Sequence, residues 1–332
     1  MTKLQSKIFL TFVLFPLHLT LSQRNMLEKW EEFKKLHGKL FTNQEEEYIR
    51  RHIFQKKVRK IEKHNDRYRR GLETYEIGLN QFSDYTAEEI SIKLHSMENQ
   101  TLQHENFLKK QQIDFSIALP LEFDWRTKGM VTPVKDQGVC GSCWAFSTTG
   151  AIESHYLIYK NSVVILSEQQ LLDCVPEAEG CSGGWMSDAF KYVAKNHGIN
   201  HYHDYPYEGL KKTCRYNATK PKIVIWGFEY LSQPDEDMLK RMLVVRGPVS
   251  VAIDGTGNFP DYTNGIYYNP TCSRDTFSHA GVIVGYGSEN GQDFWLLKNS
   301  WGSEWGLDGY IKIARNRGNH CGIASKASYP VF

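Results

Sequence analysis

The ten residues Gln137–Phe146, with the sequence QGVCGSCWAF, contain two cysteines spaced as Cys140-x-x-Cys143. The pair has three interpretations: a thioredoxin-like dithiol, half of a zinc site, or one bridged and one free cysteine. Zinc would require two further clustered ligands, and the sequence has no second C-x-x-C motif. A thioredoxin-like dithiol would belong to a smaller parallel α/β domain. The third interpretation also explains why the chain has an odd number of cysteines, seven.

Cys143 begins an apolar stretch that predicts a buried helix from Cys143 to Tyr159. The partial positive charge at a helix N-terminus favours the thiolate, so we expect a lowered pKa for Cys143. A thiolate nucleophile needs an imidazole beside it, and that partner can be distant in sequence. His155 is excluded, because twelve residues of helix would place it about 18 Å away.

His279 is the preferred partner, because it begins the apolar strand Ala280–Tyr286. Asn299 follows in Lys298-Asn-Ser-Trp-Gly302 and can accept a hydrogen bond from the imidazole, while Trp301 can shield that bond from water. Gln137 can donate its side-chain N–H to an oxyanion together with the Cys143 backbone N–H. For His201 and His203, a solvated turn is favoured over a metal site.

The chain of 332 residues has 40 basic and 38 acidic residues, so its net charge of +2 does not indicate a nucleic-acid partner. Residues 1–118 hold 20 basic and 16 acidic residues, and residues 119–332 hold 20 and 22. Lys3, Lys7 and the apolar run Ile8–Leu21 predict a secretory signal peptide over residues 1–22, with a buried helix as the alternative. The apolar run is too short to span a bilayer, so we expect a soluble product from an oxidising compartment.

The first third of the chain contains no cysteine, and its amino-acid composition differs from that of the rest. Apolar periodicity predicts a helix over residues 26–37 and a long charged helix over residues 44–70, which needs a partner along one side or forms a coiled coil. Residues 97–118 are polar and predict a linker. After residue 245 the pattern changes to short strands, predicted at Val249–Ile253, Gly281–Tyr286, Phe294–Leu297 and Tyr310–Ala314. A helical half followed by a β half predicts an α+β fold of two lobes with a cleft between them.

The stretch Cys140-Gly-Ser-Cys-Trp144, with His279 and Asn299 far downstream, resembles the signature of the papain-like cysteine peptidases. Two motifs of the first third are similar to propeptide motifs of the cathepsin L-like branch. The first is Glu46-x3-Arg50-x3-Phe54-x2-Lys57-x3-Ile61-x3-Asn65, with Lys57 where the family usually has Asn, and the second is Gly78-x-Asn80-x-Phe82-x-Asp84. The resemblance implies a helical left lobe and a β-barrel-like right lobe preceded by a helical propeptide. The expected boundaries are a signal peptide at 1–22, an inhibitory propeptide at 23–118 and a peptidase domain at 119–332.

The resemblance implies a cysteine endopeptidase made as a zymogen that is converted in acid. Cys143 would be the nucleophile, His279 the general acid and base, Asn299 its orienting partner and Gln137 the oxyanion donor. Gly183 and Gly184 would let the substrate backbone pair in the cleft. The implied disulfides are Cys140–Cys181, Cys174–Cys214 and Cys272–Cys321, and the N-x-T sequons at Asn99 and Asn217 are candidate glycosylation sites.

The resemblance also implies a pocket for the second residue before the scissile bond. Its walls would be formed by Trp185, Met186, Ala252 and Ala280, and its floor by Lys326. The composition of this pocket predicts a preference for an apolar or aromatic side chain at that position of the substrate. Lys326 either adds tolerance for acidic side chains or extends to water. Gly281 stands where the family usually has an apolar residue, which raises the question of a loosened strand.

Conversion is expected near pH 4–5.5, driven by protonation of Asp84 and of carboxylates facing the basic residues 45–70.

The expected partners are protein and peptide substrates, the chain's own propeptide and cystatin-like inhibitors, with no nucleic acid, membrane, metal or cofactor. The expected state is a monomer, in the lysosome or secreted. A non-catalytic member of the fold and a disulfide oxidoreductase remain alternatives. The retained Cys143 is evidence against the first, and the second would need both thiols of Cys140 and Cys143 free.

Overall fold

The computed structural model describes residues 21–94 and 117–332. Residues 1–20 of the predicted signal peptide, the sequon at Asn99 and nearly all of the predicted linker lie outside these residues. The described helices are α1 (Leu21–Leu36), α2 (Gln44–Arg69), α3 (Ala87–Leu94), α4 (Cys143–Lys160), α5 (Glu168–Cys174), α6 (Met186–Lys195) and α7 (Glu236–Val245). None of them has the length and apolarity needed to cross a bilayer.

Most strands lie in the last third of the chain, as the sequence predicts. The strands are β1 (Tyr75–Ile77), β2 (Phe123–Asp124), β3 (Ile199–Asn200), β4 (Lys222–Ile223), β5 (Gly227–Tyr230), β6 (Val249–Ile253), β7 (Tyr262–Tyr267), β8 (His279–Glu289), β9 (Gln292–Lys298), β10 (Tyr310–Ala314) and β11 (Ser328–Val331). The large sheet has the order β1-β7-β10-β9-β8-β6-β11-β5, with β2 paired to β8. The short strands β3 and β4 form a separate pair.

Two apolar cores divide residues 117–332 into two lobes, as expected. One core surrounds α4, α5 and α6 and includes Trp144 and Phe190. The other lies within the large sheet and includes Phe259 and Trp295. Helix α4 carries 14 buried residues of its 18 and contacts both β8 and α6, so it forms the wall between the lobes.

Residues 21–94 form a small unit with its own core. The long helix α2 is charged over most of its surface, and its predicted stripe packs Phe54 and Val58 against Trp30 and Phe33 of α1. This helical hairpin supplies the partner that the sequence requires. Strand β1 then pairs antiparallel with β7, so the segment extends the large sheet at one edge.

Helix α3 ends this segment and enters the region between the lobes. Thr86 and Glu89 form a reciprocal capping box at its start: the Glu89 N–H donates to Thr86 Oγ1 at 3.2 Å, and the Thr86 N–H donates to Glu89 Oε2 at 2.8 Å. The last two residues of the helix, Lys93 and Leu94, are buried.

Gly281 does not loosen β8. It pairs with Val251 in regular register, and a Cβ at this position would lie 2.6 Å from Leu297 Cδ2. The Leu297 side chain therefore fills the space that a larger residue at position 281 would take.

Candidate active site

Cys143 is the first residue of α4 and is the only free cysteine among the described residues. Its side chain is buried between the lobes. The backbone N–H of Ala280 lies near enough to the sulfur to lower the pKa of the thiol, which places Cys143 beside the start of β8. The thiol and the first residues of the other lobe therefore meet in the cleft.

His279 and Asn299 come together because β8 and β9 are antiparallel neighbours. His279 begins β8, and Asn299 follows the last residue of β9. The distance from His279 Nε2 to Asn299 Oδ1 is 2.7 Å, and the Trp301 ring lies 4.7 Å from the imidazole centroid. The other ring nitrogen, Nδ1, is buried and has no hydrogen-bond partner among the described residues. One nitrogen is thus fixed by Asn299 and the other is available for the thiol.

Gln137 is fully buried and its amide is held in one orientation. Ser300 Oγ donates to Gln137 Oε1 at 2.7 Å, so the amide nitrogen is directed toward the cleft. There it donates to the Cys140 carbonyl at 2.8 Å. Tyr207 further fixes the loop by donating to the Gln137 carbonyl at 2.8 Å. The sequence analysis did not identify Ser300 or Tyr207, although Ser300 directly follows Asn299.

A buried ionic cluster anchors the chain just before Gln137. Lys135 Nζ lies 2.5 Å from both Glu153 Oε1 of α4 and Glu168 Oε1 of α5. The two carboxylates raise the pKa of Lys135 against the effect of burial. The loop that carries Gln137 is therefore fixed to the same helix that carries Cys143.

The charge state of the thiol differs from the sequence expectation. Burial raises the pKa of Cys143 to about 11, although backbone N–H groups and the Lys93 ammonium lower it. Burial also lowers the pKa of His279 to about 4, against the hydrogen bond that the imidazole donates to Asn299 Oδ1. Desolvation thus outweighs the helix N-terminus and favours the neutral thiol and the neutral imidazole in the zymogen.

The end of α3 occupies the cleft. Gln137 Nε2 lies 3.4 Å from the Lys93 carbonyl oxygen, and Lys93 Nζ donates to the Gly138 carbonyl. Leu94 and His279 both lie next to Gly255. A Cβ built on Gly255 would be 3.3 Å from Leu94 Cδ2 and 2.9 Å from His279 Cβ, so Leu94 packs near the imidazole. Residues 93 and 94 therefore cover the catalytic groups, and nothing in the sequence pattern of α3 distinguished Lys93.

The predicted glycine segment lies beside α4. Gly183 has φ 121°, which favours glycine. A Cβ on Gly184 would lie 2.7 Å from the Trp144 ring, so this position is restricted to glycine by packing.

Four of the predicted pocket residues share one apolar core: Trp185, Met186, Ala252 and Ala280. Ala252 and Ala280 are register partners on β6 and β8. Lys326 Nζ lies 5.8 Å from the Trp185 ring centroid, so its side chain is directed toward the predicted wall.

The structure contains the disulfides Cys140–Cys181, Cys174–Cys214 and Cys272–Cys321, the pairs that the resemblance implies. Within the described ranges the only group with metal-ligand side chains is Cys272, His320 and Cys321, and its sulfurs are joined to each other. Asn217 is exposed, and its Oδ1 accepts from Thr219 Oγ1 at 2.7 Å.

Charged pairs join parts of residues 21–94 to one another, and two lysines join them to the lobe of the large sheet. Asp84 pairs with Lys39 at 2.9 Å, outside the basic run 45–70. From that run, Arg50 makes a bidentate pair with Glu89, and Lys57 and Lys60 lie 2.6 and 2.9 Å from the two oxygens of buried Asp261. The departure from the propeptide motif at Lys57 is the sequence signal for this ion pair. The sequence did not identify Asp261 as the partner of Lys57, because the two residues are 204 positions apart.

Comparison with known proteins matches both parts of the chain. The sequence model of the papain family cysteine proteases matches residues 119–331, and that of the cathepsin propeptide inhibitor domain matches residues 30–90. Digestive cysteine proteinase 1 of Homarus americanus is 46% identical over 305 residues, covering 91% of this chain and 94% of the relative. Mouse (Mus musculus) cathepsin K is 40% identical over 330 residues, covering 96% and 98%.

A solved structure shows the same arrangement of both parts. The digestive procathepsin L2 proteinase from Tenebrio molitor larval midgut has 50% identity and a TM-score of 0.88, covering 92% of this chain and 100% of that one. Residues 21–94 are therefore referred to below as the propeptide and residues 117–332 as the enzyme domain. The chain belongs to the papain family of cysteine proteases and is a cathepsin L-like endopeptidase zymogen.

Proposed function

We propose that the enzyme hydrolyses peptide bonds through Cys143 and His279 by way of a thioester. The observation that carries this proposal is the single free thiol beside an imidazole whose far nitrogen is bonded to Asn299 at 2.7 Å. When the propeptide leaves, water enters the cleft and the desolvation that keeps both groups neutral decreases. A proton then passes from the thiol to the imidazole, which gives a thiolate and an imidazolium.

The thiolate attacks the scissile carbonyl carbon, and the oxyanion receives hydrogen bonds from Gln137 Nε2 and the Cys143 backbone N–H. The imidazolium donates its proton to the leaving amine as the C–N bond breaks, which leaves a thioester on Cys143. Neutral His279 then takes a proton from water as the water oxygen attacks the thioester carbon. The C–S bond breaks, the carboxylic acid product leaves, and the thiolate and imidazolium are restored. Asn299 orients the imidazole during both proton transfers.

The test is acid-converted enzyme acting on a fluorogenic dipeptide amide with Phe or Leu before the scissile bond. We expect one equivalent of a thiol-directed epoxide to abolish turnover and to label Cys143. Cys143→Ser and His279→Ala should each lower kcat by about a thousandfold or more, whereas His203→Ala, at an exposed loop position, should not. Labelling without turnover would support the non-catalytic alternative.

Acid conversion follows from carboxylates that hold the propeptide. The Arg50 guanidinium keeps the pKa of Glu89 below its ordinary value. A lowered carboxylate pKa gives stability that is complete above about pH 4.3, the unperturbed value, and is lost as pH falls further. Protonation of Glu89 weakens both the pair with Arg50 and the capping box of α3, the helix that covers the cleft. Conversion should be faster at about pH 4.0, below the unperturbed carboxylate pKa, than at pH 7.5 on a gel time course, and the reverse order would contradict this.

The pocket formed by Trp185, Met186, Ala252, Ala280 and Lys326 supports an apolar preference for the second residue before the scissile bond. Lys326 at the Trp185 ring supports added tolerance for Glu. In Lys326→Ala the ratio of kcat/KM for Glu against Leu substrates should fall about three- to fivefold. An unchanged ratio would contradict the role of Lys326, and Lys160→Ala, at the exposed end of α4, is the matched control.

The expected boundaries, processing and location complete the proposal. The signal peptide would end at residue 22 and the propeptide at 118, the Asn99 and Asn217 sequons would carry glycans, and the monomeric enzyme would act in the lysosome or outside the cell on protein substrates. Cystatin-like inhibitors would bind the same cleft.

A further inference from the structure

The zymogen cleft holds a lysine side chain in surroundings that belong to the enzyme domain. Lys93 Nζ donates to the Gly138 carbonyl oxygen and lies 5.5 Å from the Trp301 ring centroid. Its side chain is 3% exposed. Gly138 and Trp301 belong to the enzyme domain, whereas the Phe82 ring, whose centroid is 4.5 Å from the ammonium, belongs to the propeptide and leaves with it.

A carboxylate stands next to these two groups. Asp136 Oδ1 accepts the Gly138 N–H at 2.9 Å, and Asp136 forms a β-bridge with Trp301. A Cβ on Gly302 would lie 3.6 Å from Asp136 Oδ2, which places this oxygen beside the residue that follows Trp301. The charge of Asp136 attracts the Lys93 ammonium. A carbonyl oxygen, an indole face and a carboxylate thus surround one cation, and each of them favours positive charge.

The position of this site relative to the reacting groups follows from Gln137 and His279. The Lys93 carbonyl is 3.4 Å from Gln137 Nε2, so the lysine lies next to the oxyanion donor. Trp301 packs on His279, the group that protonates the leaving amine. The site is therefore on the leaving-group side of Cys143, and the Trp185 pocket is a separate site.

We propose that Asp136, the Gly138 carbonyl and the Trp301 indole form a subsite that selects lysine or arginine on the C-terminal side of the scissile bond. This inference rests on the proposed peptidase function. It assigns a specificity role to Asp136. The backbone of the propeptide follows its own path through the cleft. The three groups of the subsite, however, all belong to the enzyme domain.

The burial of Lys93 in the zymogen does not oppose this selection. Desolvation lowers the pKa of Lys93 to about 8 and outweighs Asp136. Part of that desolvation comes from the propeptide itself, because Phe82 lies 4.5 Å from Lys93 Nζ. In the converted enzyme Phe82 is gone, and Asp136 and Gly138 are exposed even in the zymogen. A substrate cation there keeps more of its hydration and still faces the carboxylate.

The experiment uses the acid-converted enzyme and internally quenched peptides with a constant Phe- or Leu-containing half. Lysine, acetyl-lysine, norleucine and glutamate are placed in turn at each of the first three positions after the scissile bond. At one position lysine should exceed norleucine about fivefold in kcat/KM, with acetyl-lysine near norleucine and glutamate lowest.

The variant Asp136→Asn keeps an amide oxygen for the Gly138 N–H, so the loop geometry is preserved. It should reduce the ratio of lysine to norleucine to about twofold or less, because only the indole and carbonyl contacts remain. Asp237→Asn, an exposed aspartate on α7, is the matched control and should keep the wild-type ratio.

Equal kcat/KM for lysine and norleucine at all three positions would overturn the subsite, as would a selectivity that Asp136→Asn leaves unchanged. A dipeptide amide with a fluorescent leaving group, which has no residue after the scissile bond, separates the two proposals. Its Cys143-dependent hydrolysis together with equal lysine and norleucine rates contradicts the subsite alone. Absence of turnover on every substrate contradicts the peptidase function and the subsite together.

Discussion

The propeptide and the enzyme domain are stabilised by different interactions. The enzyme domain has two large apolar cores and three disulfides. The propeptide has no cysteine, and its own core consists mainly of four buried side chains: Trp30, Phe33, Phe54 and Val58. Its attachment to the enzyme domain combines the ion pairs of Asp261, the short strand β1, and four apolar side chains that enter the core of the large sheet: Tyr75, Ile77, Phe82 and Leu94. We therefore expect acid or a substitution in the propeptide to loosen the propeptide before the enzyme domain unfolds.

The largest effect is expected from a substitution in the small apolar core of the propeptide. Trp30 is fully buried, stacks on Phe33 at 5.5 Å and lies 5.3 Å from Phe54. Trp30→Ala should lower the free energy of unfolding of the propeptide by about 4 kcal/mol through loss of burial and a cavity. The readout is epoxide labelling of Cys143 in the zymogen at pH 7.5, which should become as fast as in converted enzyme. Labelling at the wild-type zymogen rate would show that this core does not control latency.

The second-largest effect is expected at Asp261, the buried carboxylate that faces the propeptide. Removing both cations with Lys57→Met and Lys60→Met leaves Asp261 buried and unpaired, which should cost about 3 kcal/mol. Zymogen labelling at pH 7.5 should then accelerate about a hundredfold. Adding Asp261→Asn should recover a large part of the loss, because the uncompensated charge is gone.

The control for this cycle is Asp261→Asn in the otherwise unchanged chain. Lys57 and Lys60 keep partial access to water, with side-chain exposures of 16% and 45%, so the single change should be milder than the double lysine change. A larger effect of Asp261→Asn than of the lysine pair would contradict the assignment of Asp261 as the buried partner.

Lys93 gives a pH dependence of the same sign as that of the carboxylates, but in the alkaline range. Its pKa is lowered from 10.5 to about 8 in the zymogen, so the folded form binds fewer protons than the unfolded form between these values. The free energy of unfolding should therefore rise by about 1–2 kcal/mol from pH 7.5 to 9.5. Melting of the inactive Cys143→Ala zymogen measures this increase, and Lys93→Met should remove it. The same slope in Lys93→Met would contradict the burial of a charged lysine.

Glu89 should give the smallest effect, because the pair with Arg50 is partly exposed. Glu89→Gln replaces the bidentate pair and weakens the capping box, which we expect to cost about 1 kcal/mol. The pH at which half of the zymogen converts in a fixed time should rise by several tenths of a unit. Glu88→Gln, at the neighbouring exposed position of α3, is the matched control. An unchanged conversion pH in Glu89→Gln would exclude this carboxylate as the acid trigger.

The sequence predicted the elements that depend on local pattern. The buried helix from Cys143 is observed as Cys143–Lys160, and the predicted strands at 249–253 and 310–314 have the observed bounds. The sequence also pointed to His279 and Asn299, and antiparallel pairing of β8 with β9 brings them together. In each case the information is carried by periodicity or by motif spacing.

The sequence did not predict what depends on the contact between the two parts. The expected low pKa of Cys143 considered only its own helix, whereas the propeptide and both lobes desolvate the thiol. The sequence named Asp84 but not its partner Lys39, which lies in the loop after α1. Lys93 and Asp136 have no motif, and their roles arise only when α3 enters the cleft.

The central claim is that the propeptide keeps Cys143 and His279 neutral by burial, and that its removal creates the ion pair. The most direct test is the rate of Cys143 alkylation by a small neutral reagent between pH 5 and pH 8, in zymogen and in converted enzyme, with the labelled residue identified by mass spectrometry. The account predicts fast alkylation of converted enzyme throughout this range and alkylation of the zymogen slower by about a hundredfold or more. Equal rates and equal pH profiles in the two forms would contradict it.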